Sequence, residues 1–422
     1  MKNNPSDKSS APGRPLRILL VSQYFYPEVG ATQTRIFEFA KNLSRLGHQV
    51  TVIGEFPNHP HGIMPEEYRG RWFERDSVAG FDVLRVWVYT SAVKNFKTRI
   101  LFYLSFMLMA ILGSLKLPAG YDVVLATSPP LFVAVSGYVI SRIKRSRFVL
   151  DIRDLWPAAA VALGELSSPG IIRLAEKLEK VLYKKADRIV AVTQGFCSHI
   201  RSLGISGNKI SWIPNGTVTE IFAPNRVDTN LKEKLGLNGK LVVTFAGTHG
   251  IAQGLPAVLD TARQLSERPD IAFFFIGEGP VKDHLLKLAE TCALDNVIFH
   301  SQVPIDKIAP FINMSDILLV PLRNDGVFQT FIPSKMFDFM ACAKPILLSV
   351  PGEAKAILEK AEAGLFVEPE SPEAMAEAIL RLGEDQELRR RMGESGRKFV
   401  LERFTREKQA VQLHEILSLL CL

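Results

Sequence analysis

From Arg17 onward the chain alternates short apolar runs with amphipathic stretches. RILLVSQYF (Arg17–Phe25) has the continuous apolar character of a buried strand, and Tyr26–Thr32 follows as a loop. TRIFEFAKNLSRLG (Thr34–Gly47) then spaces its apolar residues for a helix, with Gly47 as its C-cap. HQVTVIGEF (His48–Phe56) reads as the next strand. Further strands are predicted at Val83–Tyr89, Asp122–Thr127, Arg147–Ile152, Arg188–Thr193 and Lys209–Pro214, with helical patterns between them. Such alternation, joined by right-handed crossovers, builds a doubly wound parallel sheet.

Around Asn215–Leu237 the alternation lapses, and 217–237 reads as a linker. A second series follows at Leu241–Gly247, Ala272–Gly277, Val297–Val303, Ile317–Leu322, Pro345–Val350 and Gly364–Pro369, then helices to the end. The expected fold class is therefore α/β, with two tandem Rossmann-like domains at 17–216 and 238–400. A disordered tail is expected at 1–16 and a C-terminal helix at 401–422. Ligands of such sheets bind beyond the carboxyl ends of the strands, so an interdomain cleft is the expected site.

One stretch departs from the pattern. ILFYLSFMLMAILGSL (Ile100–Leu115) holds sixteen residues without a charge. A membrane span needs about 20, and a helix apolar on all sides is buried in protein or in lipid. Lys94, Lys97 and Arg99 precede it, and SRIKRSR (Ser141–Arg147) adds four cations. Anionic lipid attracts such clusters at about 1 kcal/mol per residue. A core helix, partial insertion into a membrane surface and a true span all stay open.

Composition narrows the class. The 422 residues suffice for two domains, and 47% hydrophobic with 23% charged residues is globular. MKNNPSDKSSAPGR has no apolar h-region and is expected to be a loose tail, not a signal peptide. Four cysteines without metal spacing or a disulfide framework suggest a reducing, cytoplasmic setting. The net charge of +7 is uneven: residues 1–216 carry 28 Lys+Arg against 16 Asp+Glu, the remainder 23 against 28. A basic first half implies an anionic partner: nucleic acid, a membrane surface or a phosphorylated substrate. No nucleic-acid module is visible.

VFQTFIPSKMFDFMACAKP (Val327–Pro345) is the stretch richest in candidate chemistry. It reads as loop, short helix and strand. Pro333 suits a first helical position, and Ile332 cannot cap, which leaves the first N–H groups free for an anion. Lys335 and Asp338 share a helix face among apolar neighbours. They are either ligand groups or a local ion pair, worth a few tenths of a kcal/mol.

Taken in order, FYPEVGATQTRIFEFAKNLSRLGHQVTV, ADRIVAVT, WIPNGT, FIGEGP, NVIFHSQV and MACAKPILLSV resemble glycosyltransferase family 4, retaining enzymes of the two-Rossmann GT-B architecture. NHPHG, TSPPL, DIRDLWPAA and IPSKMFDF are similar to the subgroup of bacterial L-fucosamine transferases (WbuB-like) of O-antigen and capsule assembly. The resemblance implies two glutamates eight positions apart. Here Asp338 stands at the second, which holds the donor ribose, and Thr330 at the first, which contacts the sugar or its leaving group. On the ligand reading of that helix, Lys335 serves the diphosphate. Relatives carry Arg and Lys in the stretch matched by AGTHGIAQGL. This chain has Thr248 and His249, with Gln253 near the lysine position, so Gly247 and His249 become candidate donor contacts. Arg323 either compensates for the lost cations or is a surface arginine. Gly30 leaves room for the diphosphate, with Ala31 replacing a second glycine. Glu278 lines the nucleotide pocket or belongs to a turn.

On the acceptor side, Arg153-Asp154 matches a His-Asp of relatives. Asp154 is a candidate base or orienting group, or else a helix cap or partner of Arg153. His59 and His61 lie on a loop expected to face the acceptor. No Asp-x-Asp pair has metal-ligand placement, so metal independence is expected, with no cofactor beyond the UDP-sugar donor. The absence of a nucleophile–base–orienter set agrees with front-face attack, the proton passing to the leaving phosphate. The expectation is a cytoplasmic, peripheral-membrane transferase moving an N-acetylated amino sugar from UDP to a lipid-linked saccharide. Rival readings are a nucleotide-sugar 2-epimerase and a non-catalytic binding subunit.

Overall fold

Eight strands form the first sheet: β1 (Arg17–Val21), β2 (Gln49–Glu55), β3 (Phe73–Val78), β4 (Phe81–Val86), β5 (Val123–Ser128), β6 (Arg147–Ile152), β7 (Arg188–Ala191) and β8 (Ile210–Trp212). This computed structural model describes residues 14–28, 30–58, 62–93, 95–164 and 166–422. The strand order is β3-β4-β2-β1-β5-β6-β7-β8, parallel throughout except for β3 against β4. The central strands are apolar because helices cover both faces. β3, FERDSV, was not foreseen. Its middle is charged and exposed, as an edge strand's can be, so it carries no apolar run to detect.

The second sheet holds β9 (Leu241–Ala246), β10 (Ile271–Ile276), β11 (Val297–His300), β12 (Ile317–Pro321), β13 (Ile346–Ser349) and β14 (Gly364–Phe366), all parallel, in the order β11-β10-β9-β12-β13-β14. The two tandem Rossmann-like domains are present.

The chain crosses between domains twice, side by side. Thr217 N–H donates to Phe404 O at 2.8 Å, and Arg406 N–H donates to Thr217 O at 2.9 Å. Val218, Phe222, Leu231 and Leu237, from the stretch read as a linker, pack into the second domain's core. The last helix, Arg406–Leu420, returns to the first domain. Its Ala410, Leu413 and Leu417 are fully buried with Ile36, Phe39 and Leu43 of the helix Ala31–Arg45. Beside the crossing, Arg35 pairs with Asp151 at 2.8 Å, both side chains fully buried, and donates to Ile213 O and Pro214 O at 3.0 Å each.

The apolar stretch forms the helix Phe96–Ser114, opened by a capping box between Asn95 and Thr98. It lies on β2, β4 and the helix Leu131–Lys144, and buries Phe106, Met109 and Ala110. Gly113 lets it close on the sheet: a Cβ there would stand 3.1 Å from Phe73 and Val86 side-chain atoms. It is not buried on all sides, because it belongs to an outer layer and only one face meets the sheet. Leu101, Leu108, Leu112 and Leu115 stay 49–60% exposed.

Candidate active site

On the second domain, the turn Gly326–Thr330 leads through Pro333 into the helix Lys335–Ala341. Met336, Phe337, Phe339 and Met340 are buried, and this packing fixes where Lys335 and Asp338 point. They do not pair. The Lys335 ammonium lies 3.9 Å from the centre of the Phe245 ring, over the carboxyl end of β9. There Gly247, at φ +142°, leaves it room: a Cβ would come 2.5 Å from Nζ. Among the described residues this ammonium meets no carboxylate, and burial lowers its pKa to about 7. Asp338 turns to the crossing. Burial raises its pKa to about 7, against the Arg406 guanidinium and the Thr217 hydroxyl.

The other donor-side candidates separate. His249 was a candidate donor contact, but its imidazole is fully buried among Phe245, Phe275 and Phe299. Neither ring nitrogen has a hydrogen-bond partner among the described residues, and burial lowers its pKa to about 4. The reason is the loop after β10. Gly277, at φ +147°, closes on the loop after β9 so tightly that a Cβ would lie 1.9 Å from Gly247 O. Glu278 pairs with Lys282 at 2.7 Å, which lowers its pKa. Arg323 holds the loop 251–254 through its backbone, donating to Ala252 O at 2.9 Å, while the residue is exposed. Gly30 precedes the helix Ala31–Arg45 with φ 171°, extended backbone that any residue adopts. A Cβ there would come 2.4 Å from Gln33 Oε1, the far end of a flexible side chain.

On the first domain, Arg153 and Asp154 follow β6. Arg153 turns away from Asp154 to donate to Thr32 Oγ1 and to Pro129 O. Asp154 does not cap the next helix, whose N-cap is Pro157. Its Oδ1 is buried without a partner among the described residues, and burial raises its pKa to about 7. A cavity of about 210 Å³ opens there, beyond the carboxyl ends of β1, β5 and β6. His59 and His61 lie outside the described residues. A larger cavity, about 530 Å³, involves Arg17, His48 and Arg75 at the amino ends of β1 and β2, the wrong end of the sheet for the cleft.

The two sides meet through residues that local pattern did not mark. Glu353 accepts from the N–H groups of Gln194 and Gly195 at 2.9 and 3.0 Å, and Phe331 packs edge-on against Phe196 at 5.5 Å. The helix Ala158–Ala162, just beyond Asp154, also touches the turn that carries Thr330. Among the described residues, no group of three His, Cys, Asp or Glu is placed to hold a metal ion.

Two family descriptions match in tandem: a glycosyl transferase 4-like domain over residues 30–216 and glycosyl transferases group 1 over residues 227–399. The glycosyl transferase WcaI of Escherichia coli K12, named for colanic acid biosynthesis, is 25% identical over 380 residues, covering 86% of this chain and 91% of its own. The Pseudomonas aeruginosa glycosyltransferase WbjE is 28% identical over 264 residues, 61% of this chain and 65% of its own. Among solved structures, HepE of Anabaena in complex with UDP and glucose matches with TM-score 0.71 at 17% identity, over 96% of this chain and 99% of its own.

Proposed function

This chain belongs to family 4 of the GT-B glycosyltransferases, and from that premise we propose that it moves an N-acetylated amino sugar from UDP to a polyprenyl-diphosphate-linked saccharide. Relatives place the chain in polysaccharide biosynthesis; the O-antigen or capsule setting is the narrower part of this reading. The observation that carries it is Lys335. A buried ammonium that meets no carboxylate among the described residues is costly, and a nucleotide diphosphate offsets that cost. The complex of HepE with UDP and glucose supports UDP as the base-bearing half of the donor.

The glycosidic C1–O bond to the diphosphate breaks and the bond from C1 to the acceptor oxygen forms on the same face. The acceptor's proton passes to the departing phosphate oxygen, whose charge Lys335 stabilises. Asp338, beside the crossing, receives the ribose hydroxyls. Asp154 orients the acceptor hydroxyl across the cleft. No protein nucleophile is required. The exposed leucine face of Phe96–Ser114, with Lys97 and Lys116 at its ends, rests on the anionic cytoplasmic membrane surface.

The test is transfer from a panel of nucleotide sugars to a short-chain diphospholipid saccharide, with and without EDTA. Transfer from a UDP-sugar that survives EDTA and collapses in Lys335→Ala and Asp338→Asn fits the proposal. Transfer from another base, or undiminished transfer in both variants, sinks the donor assignment.

A further inference from the structure

Arg406, the first residue of the returning C-terminal helix, is 3% exposed and short of partners. Its Nη1 donates to Asn215 Oδ1 at a long 3.3 Å, and its Nε has no hydrogen-bond partner among the described residues. Burial and the neighbouring Arg35 lower its pKa to about 10, so it stays charged at neutral pH. A buried charge of this kind needs a carboxylate to answer it. Asp338, Glu38 and Asp151 all act on it. Asp151 is already taken by Arg35 at 2.8 Å. Glu38 accepts from Lys41 at 3.4 Å and from Asn42 Nδ2 at 3.2 Å. For Asp338, the cation that favours its charged form is Arg406.

Packing holds the two groups in one place. Phe337, next to Asp338, stacks on Phe404 with ring centres 4.7 Å apart. Phe404 O accepts from the Thr217 N–H, and the Arg406 N–H donates to Thr217 O. The helix Gln386–Arg403 packs on the same short helix, where Arg397 donates to Ala341 O. Cys342, one turn beyond Asp338, has its pKa raised by burial to about 12 and stays a neutral thiol. Asp338 itself keeps some exposure. An ionised carboxylate has about four lone-pair sites, enough for the two adjacent hydroxyls of a ribose, whereas a protonated one presents a donor to a donor.

We infer that Arg406 is a positioning residue for donor binding: from the domain crossing it keeps the Asp338 carboxylate ionised and in place for the ribose hydroxyls. The inference rests on the ribose role proposed above for Asp338 and adds the group on which that role depends. Arg406 acts through Asp338 and does not touch the donor.

Calorimetry of UDP and of 2′,3′-dideoxy-UDP binding to the full chain, at pH 7.5 and at pH 9, tests it. Discharge of Lys335 at the higher pH weakens both nucleotides alike, so the ratio of their affinities reports the ribose contact. Wild type prefers UDP about tenfold at both pH values. Arg406→Gln, which keeps a hydrogen-bond donor, lowers the ratio to about two at pH 7.5 and restores about fivefold at pH 9, where the carboxyl ionises unaided. Arg406→Lys keeps the charge and a ratio of about five at pH 7.5. Binding of dideoxy-UDP shows that a variant is folded. Where the glutamine variant fails that control, the lysine variant decides: a retained ratio supports the inference and a lost one overturns it. An unchanged ratio in Arg406→Gln overturns it, as does a ratio lowered equally at both pH values, the mark of a carboxylate merely displaced. Equal binding of the two nucleotides by wild type defeats the ribose role of Asp338 itself. A preference that Asp338→Asn abolishes and Arg406→Gln spares leaves that role standing and defeats the inference alone.

Discussion

Thr330 sits where Gly195 of the other domain has no side chain: a Cβ on Gly195 would lie 2.7 Å from the Thr330 Cβ and Cγ2 atoms. Glu353 accepts from the Gly195 N–H alongside. Thr330 is thus an interdomain contact. A glutamate there would crowd Gly195 and bring a second carboxylate towards Glu353. We expect Thr330→Glu to lower transfer about tenfold and to open the domains, not to restore a lost activity. Transfer rates and the solution radius of gyration check this, and a faster, equally compact variant refutes it.

Lys335 sets function against stability. Lys335→Met removes a desolvated charge while keeping the packing, so the free protein gains about 1–3 kcal/mol at pH 7. Donor turnover falls about 100-fold or more. Thermal unfolding and donor kinetics on the same preparation show whether the two effects separate.

The sign of the pH effect follows from the same group. Burial lowers the Lys335 pKa to about 7, so the free enzyme carries the charge below that pH and loses it above. A diphosphate prefers the charged form. The donor kcat/KM therefore holds below about pH 7 and falls towards tenfold per unit above it. Lys335→Arg, charged throughout, flattens this limb. In the free protein, a lysine whose folded pKa is lowered binds fewer protons than the unfolded chain above pH 7. Its contribution to stability therefore rises with pH from about 7 towards 10.5.

The exposed leucines allow the proposed membrane contact to be tested apart from the chemistry. Leu108→Glu leaves the buried face of its helix intact, since Leu108 is 55% exposed. It should release the protein from anionic vesicles about tenfold or more while transfer to a soluble short-chain acceptor continues. Co-sedimentation and solution transfer, measured together, separate these effects.

Arg35 and Asp151 form a buried ion pair whose guanidinium also ties Ile213 and Pro214 ahead of the crossing. Arg35→Met leaves Asp151 charged and unpaired, for a loss of about 3–5 kcal/mol in denaturant unfolding.

The alternation of apolar runs and amphipathic stretches was enough to specify two parallel sheets, because a strand covered on both faces must be apolar throughout. Every predicted strand lies on an observed one, and β3 escaped because one wet edge needs no apolar run. The short packed helix with Lys335 and Asp338 was also legible, since its motif is contiguous. What the sequence could not say is where these side chains point. Lys335 and Asp338 share a helix face in projection, yet the ammonium settles on Phe245 and the carboxylate beside Arg406 and Thr217. His249 lies in a polar, glycine-rich stretch but is walled in by three phenylalanines from three strands. Thr330 against Gly195 and Glu353 on the helix at Gln194 join residues far apart in the chain. Such contacts form only when two sheets and a returning C-terminal helix pack together, so local periodicity carries no trace of them.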